Sequence, residues 1–160
     1  MLLTINSEQY NTENIFFSEK TKNNILNNGD FYRIYYSEKL FTTNGIFLLF
    51  NFQNIKIEKY FNKIKCFFDK LSNKKIINTI RNIEMTILKN SPIKFKVPRY
   101  RIEEQLTQSF IKIFGEYNNL KAQYDNMKIL LKISGVWTDD FNYGITFRFF
   151  LQPNHQLKMM

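Results

Sequence analysis

The sequence predicts a β-rich α+β domain with one principal amphipathic helix at about 72–90 and a C-terminal β-hairpin. Three observations predict it. The apolar residues are mostly Phe (17), Tyr (9) and Ile, with a single Ala (Ala122) and only two Val (Val97, Val136); aromatic and β-branched side chains suit a pleated sheet. Ile76, Ile77, Ile80, Ile83, Ile87 and Leu88 recur at the spacing of one helical stripe. Met127, Ile129, Leu131 and Ile133 alternate with Lys128, Leu130, Lys132 and Ser134, and a second alternating run returns after a short polar loop.

In chain order, residues 1–28 are polar and Asn-rich and read as an N-terminal arm, with Ile15-Phe16-Phe17 able to dock as a short strand. Asn28-Gly29-Asp30 is a turn signal, followed by a strand at Phe31-Tyr32-Arg33-Ile34-Tyr35-Tyr36. Asn44-Gly45 then predicts a hairpin turn into a second aromatic strand, Ile46 to Phe52. Ile55 to Phe68 carries both periodicities, with Ile55 and Ile57 alternating and Tyr60, Phe61, Ile64, Phe67 and Phe68 at helical spacing. The long helix takes Ser72 or Asn73 as its cap and ends at Ser91-Pro92. Ile93 to Val97 alternates as a strand that Pro98 confines to an edge or stops, and Glu103 to Phe114 fits a short helix or a strand. The last hairpin pairs the 127–133 run with Ile145, Phe147, Phe149 and Leu151. The domain proper is thus 29–152, and 153–160 form a tail.

At 160 residues the chain fits one domain with its own core. Its net charge of +9 implies an anionic partner, either nucleic acid or a membrane surface. Lys outnumbers Arg 18 to 5, and Asn, Lys, Ile, Phe and Tyr all have A/T-rich codons, so base composition alone raises the pI. The distribution argues for more than that. Residues 1–54 hold four cations against five acids, 55–132 seventeen against seven, and 133–160 two of each. A surplus confined to the middle points to a basic surface.

Several classes of chemistry lack their residues. The single histidine, His155, sits in the tail, so no structured Ser-His-Asp or Cys-His arrangement is available. One Cys (Cys66) and one His cannot build a structural zinc site, and the five glycines follow no phosphate-loop spacing. The acidic pairs Glu103-Glu104 and Asp139-Asp140 read as helix-start and turn charges rather than metal ligands. Hence no enzyme, metal or cofactor is expected. A lone cysteine, no charged-then-apolar leader and no apolar run near the roughly 20 residues of a membrane span predict a cytoplasmic protein without membrane contact.

Cations do alternate with rings, which a binder of unpaired nucleic acid needs: charge for the phosphates and flat surfaces for the bases. Phe31 to Tyr36 places Tyr32 and Tyr36 on one face and Arg33 and Tyr35 on the other. Lys94-Phe95-Lys96, Arg99-Tyr100-Arg101 and Phe147-Arg148-Phe149 repeat the pattern, and the alternating strand adds Lys128 and Lys132. Lys94, Lys96, Arg99 and Arg101 crowd into eight residues with no acid among them. Trp137 shares parity with Ile129, Leu131 and Ile133, which implies burial; a bulge at Gly135 would turn it outward.

One stretch carries a resemblance. Leu130-Leu131-Lys132-Ile133-Ser134-Gly135-Val136-Trp137, a polar loop, then Tyr143-Gly144-Ile145-Thr146-Phe147-Arg148-Phe149 and Gln152 resemble the terminal hairpin of small OB-like single-stranded-DNA-binding proteins of large cytoplasmic DNA viruses. There an LKISGIW strand precedes a GITWK strand that ends near a Gln. The cytoplasmic linear plasmids of yeasts carry small basic proteins of a similar kind. The match spans about the last quarter of the chain and departs at Phe147, where the pattern has Trp. It implies an OB-like barrel and a replication protein that coats displaced strands. The expected partner is therefore single-stranded DNA, with RNA or a duplex end as the alternative ligand; replication proteins and a second copy of the chain are further candidate partners. A structural or assembly protein with a basic surface is the reading from another class.

Overall fold

Alternation sets the strands, and residues of positive φ, Gly45 and Phe61 among them, mark turns between them. The computed structural model describes residues 4–23, 25 and 29–152. Five strands precede those of the barrel: β1 (Ile5–Asn6), β2 (Ile15–Phe17), β3 (Thr21–Lys22), β4 (Asp30–Ser37) and β5 (Thr42–Asn44). Then come β6 (Ile46–Tyr60), β7 (Lys63–Phe68), α1 (Lys74–Asn90), β8 (Val97–Arg99) and α2 (Arg101–Thr107). β9 (Phe110–Ile113), β10 (Gln123–Thr138) and β11 (Asn142–Gln152) complete the described chain.

The barrel is closed by β6, β7, β9, β11 and β10 in that spatial order, with β10 returning to β6. All these ladders are antiparallel except β11 with β9, which run parallel at Phe149 and Ile113. This is the OB-like barrel, with α1 as its principal helix and β10–β11 as its C-terminal hairpin. β4 extends the wall beyond β10, and β2, β3 and β5 pair in turn with β4, while β1 lies parallel to β6.

Register explains the core. Ile129, Leu131 and Ile133 of β10 face Phe50, Leu48 and Ile46 of β6 on the inside, and all six are buried. On β7 and β9 the inward pairs are Cys66 with Ile111 and Ile64 with Ile113. Helix α1 buries Ile77, Ile80, Ile83, Ile87 and Leu88 in the same cluster. Each such side chain contributes about 1.5–3 kcal/mol relative to an exposed one, so the helical stripe is a structural requirement of the barrel.

Three sequence expectations need correcting. The helix does not take a side-chain cap: Asn73 stands at the cap position but makes no capping bond. Its buried amide instead accepts from Gln53 N at 2.8 Å and donates to Gln53 O at 2.9 Å, pinning the helix start to β6. The strands on either side of Asn44-Gly45 do not form a hairpin with one another. β4 pairs with β5 across residues 38–41, and Gly45, at φ +94, then turns the chain into β6; a Cβ there would lie 2.9 Å from Ile133 O. Finally, Ile93 to Lys96 is not a strand. Phe95 adopts φ +63, and only Val97–Arg99 pairs, parallel to β11. The ambiguous stretches resolve as a hairpin, β6–β7 with its tip at Phe61-Asn62, and as a helix followed by a strand, α2 and β9. Among the described residues, no helix is long and apolar enough to cross a membrane. The tail 153–160, with His155, lies outside the described residues, as does Asn28 of the first turn signal.

Candidate nucleic-acid interface

Because side chains alternate along each strand, every inward residue of the barrel wall leaves an outward neighbour. On β7, β9, β11 and β10 those neighbours form transverse rows. Lys65 lies directly opposite Lys112 across β7 and β9. Arg148 lies directly opposite Lys132 across β11 and β10. The β9–β11 register at Ile113 and Phe149 brings Lys112 alongside Arg148. Four cations therefore cross four adjacent strands, a span of about 14 Å at roughly 4.8 Å per strand.

Like charges directly opposite one another destabilise a sheet. Among the described residues the ion pairs are Lys20–Asp30, Lys56–Glu58 and Arg81–Glu103, so none of these four cations is neutralised by one. Rings take their place. Lys65 Nζ lies 4.8 Å from the Phe110 ring centre and 6.0 Å from that of Tyr60; Arg148 Cζ lies 4.2 Å from Phe114, and Lys132 Nζ 5.7 Å from Phe47. Rings also flank the row on both sides. Phe67 and Phe110 pack at 5.9 Å along one flank, and Phe114 and Phe150 meet edge to face at 5.7 Å along the other. The surface is a strip of positive charge between two rows of aromatic side chains.

A second cluster continues outward past the bulge in β10. The register of β10 against β11 shifts between Ile133 and Gly135, so Val136 and Thr138 become the buried residues and Trp137 turns outward, half-buried. Trp137 stands opposite Gly144 on one side and Phe31 on the other, and Arg99 of β8 is the registered partner of Gly144. Glycine is required at 144: a Cβ would sit 2.8 Å from Trp137 Cζ2. The Arg101 guanidinium lies 5.3 Å from the Trp137 ring, and that of Arg33 lies 5.8 Å from Phe31.

Of the residues singled out from the sequence, Arg33, Tyr35, Arg99, Arg101, Lys128, Lys132, Trp137 and Arg148 lie on this outward wall, and Lys94 is exposed beside its β8 end. Four need correction. Tyr36 is fully buried; it stacks on Tyr10, and its hydroxyl accepts from Asn11 N, so no base can reach it. Tyr32 shares the inward parity of Ile34 and Tyr36 and is half-buried. Tyr100 packs against the core beside Tyr143. Lys96 is tied down: Nζ donates to Thr138 Oγ1 at 2.7 Å and to Asp139 O at 2.6 Å, bracing the β10–β11 turn.

The sequence reading missed Lys65, Lys112 and the rings around them. The signal was present in Phe110-Ile111-Lys112-Ile113-Phe114, a ring and a cation on every second position.

Other reactive groups are occupied. Cys66 is fully buried and its thiol is pushed up to about 12 by desolvation. Asp139 accepts from Phe141 N and Asn142 N, which holds its carboxyl below the ordinary range and makes it a turn builder. Glu103 pairs with Arg81 at 3.3 Å. Among the described residues, no group of three His, Cys, Asp or Glu side chains is placed to hold a metal ion. Comparison with known proteins adds no further constraint: no family model, no curated sequence and no solved structure matches the chain.

Proposed function

We propose that this protein binds single-stranded DNA without sequence preference and protects displaced strands during replication, with no reaction or cofactor of its own. One observation carries the reading: the unneutralised row Lys65, Lys112, Arg148 and Lys132 lies between rows of rings on the outer barrel wall. Opposed cations gain most from an anion that touches several of them at once, and a polynucleotide backbone does so. The flanking rings favour the unpaired form. A duplex offers phosphates to the row but keeps its base faces stacked inside, whereas a single strand can lay bases on Phe67, Phe110, Phe114 and Phe150 at roughly 1–3 kcal/mol each. The location agrees with general OB-fold practice, in which the second and third barrel strands, here β7 and β9, carry oligonucleotides.

The test is fluorescence anisotropy of labelled oligo-dT across a salt series, with duplex and RNA competitors. The expected result is binding at low salt that weakens steeply as salt rises and is poorly competed by duplex. Binding lost in the quadruple variant K65A/K112A/K132A/R148A, with folding intact by circular dichroism, supports the site. No affinity for oligo-dT at low salt, or affinity indifferent to salt, overturns the reading and leaves an assembly protein. RNA outcompeting DNA moves the function to RNA.

A further inference from the structure

The β6–β7 hairpin runs on past the barrel. Pairing of β6 with β10 ends at Lys56 and Gln123, with one further bond from Ile57 N to Ala122 O, and β9 joins β7 only from Ile64. Beyond those points the hairpin pairs only with itself. At its tip Phe61 is 97% exposed and Tyr60 55%. Phe61 adopts φ +49, a backbone that side chains with a Cβ disfavour, and its exposed ring recovers nothing by packing. Strain held at an exposed site points to function. The lysines beside this ring fall on opposite faces of the hairpin. Lys63 shares the outer face of Lys65, where the cation row begins, whereas Lys59 stands opposite Ile64 on the other face. That second face borders a groove of about 680 Å³, where Lys59 and Lys121 stand with Ile57 and Leu120 and no carboxylate lines the walls. Neither lysine is in an ion pair among the described residues.

We infer that this tip is a wedge that opens the end of a duplex at a fork between double and single strands, resting on the single-strand reading above. A lone single strand needs one cationic face beside its rings, and the row already provides it. Cations on both faces of a projecting ring match two strands that part around it. Phe61 inserts at the last base pair, as apolar side chains do between base steps. One strand then passes over Lys63 and Lys65 into the row, and the other passes over Lys59 and Lys121 through the groove. Contacts to both separated strands offset the unpairing, so no nucleotide hydrolysis is required. Strand opening is thus a further activity, which generates at the fork the unpaired strand that the row then covers.

The experiment uses the full chain with oligo-dT, with a duplex carrying one dT arm, and with the same duplex carrying two unpaired dT arms and 2-aminopurine in its last base pair. The two-armed fork is expected to bind about tenfold tighter than the one-armed duplex at low salt, with a rise in 2-aminopurine fluorescence as that base unstacks. Phe61→Asn, which suits the turn backbone better, should abolish the rise and weaken fork binding by at least about fivefold, the least that one stacked base confers. Its affinity for oligo-dT and the salt dependence should stay as they are. K59A/K121A should bring the two-armed fork down to the one-armed duplex, again with oligo-dT binding unchanged. Equal affinity for the two duplexes and no rise in fluorescence, with oligo-dT still bound in a salt-dependent way, overturn the wedge and spare the single-strand reading. A rise that persists in Phe61→Asn, or a two-arm preference that persists in K59A/K121A, also overturns it. No binding to oligo-dT removes both.

Discussion

Phe95 is a bulky residue in the left-handed region (φ +63), and its side chain is fully exposed at 104%. For a residue with a Cβ that conformation costs roughly 1–2 kcal/mol, and an exposed ring recovers none of it by packing. The geometry is imposed by neighbours: Lys96 is bound to Thr138 and Asp139, and Val97 N donates to Phe141 O at 2.9 Å. Asn tolerates this backbone far better, so Phe95→Asn is expected to stabilise the fold by about 1 kcal/mol, near 2–4 °C in Tm for a chain of this size, read by urea and thermal melts. An unchanged or lower midpoint would mean that the loop relaxes around the ring. The residue also explains why this loop departs from its alternating sequence. Alternation in Ile93 to Val97 is a strand pattern only while every residue keeps negative φ, and nothing in the side-chain order reveals one that does not. Trp137 is the converse case: its outward turn depended on a bulge that Gly135 made legible, because Phe31 and Tyr32 O leave no room for a Cβ there.

Between elements, a buried carboxylate joins the two helices. Glu84 of α1 is 1% exposed, and its carboxylate accepts from Ile102 N at 3.0 Å and Glu103 N at 2.9 Å, satisfying two amide groups at the start of α2. Desolvation raises its pKa to about 7 from 4.5; the two amide bonds oppose the rise, and Glu103 and Glu104 add to it. The folded state therefore holds the proton more tightly than the unfolded one. The stabilising contribution is fully present below about pH 4.5 and is lost as pH climbs through about 7. Over that window the stability of the natural protein relative to Glu84→Gln should fall by about 3 kcal/mol, measured by urea unfolding at pH 4.5 and 7.5. A difference that stays flat would show that the carboxylate ionises normally. The helix stripe that holds Glu84 was plain in the sequence, since six apolar residues at helical spacing admit few alternatives. The glutamate was not, because its partners are backbone amides of an element 18 residues away.

At the scale of the whole molecule, strands were easier to recognise than the surface they make. The inward pattern of β10 and β11 was readable because two long alternating runs pair over most of their length. The cation row was not readable, since Lys65, Lys112, Arg148 and Lys132 come from four strands brought side by side only when the barrel closes. That closure yields a quantitative expectation. Releasing counterions from single-stranded DNA gives a slope in log Kobs against log salt of about −0.7 per neutralised phosphate. Four contacts therefore imply a slope near −3, and K65A, K112A, K132A and R148A should each flatten it by about 0.7. Lys74 and Lys75, exposed at the start of α1, are the controls: their alanine variants should leave the slope unchanged, although they carry the same charge. Equal flattening by all six substitutions would mean that the DNA responds to net charge rather than to the row. Flattening confined to the three barrel lysines and Arg148 would locate the phosphates along one line across β7, β9, β11 and β10.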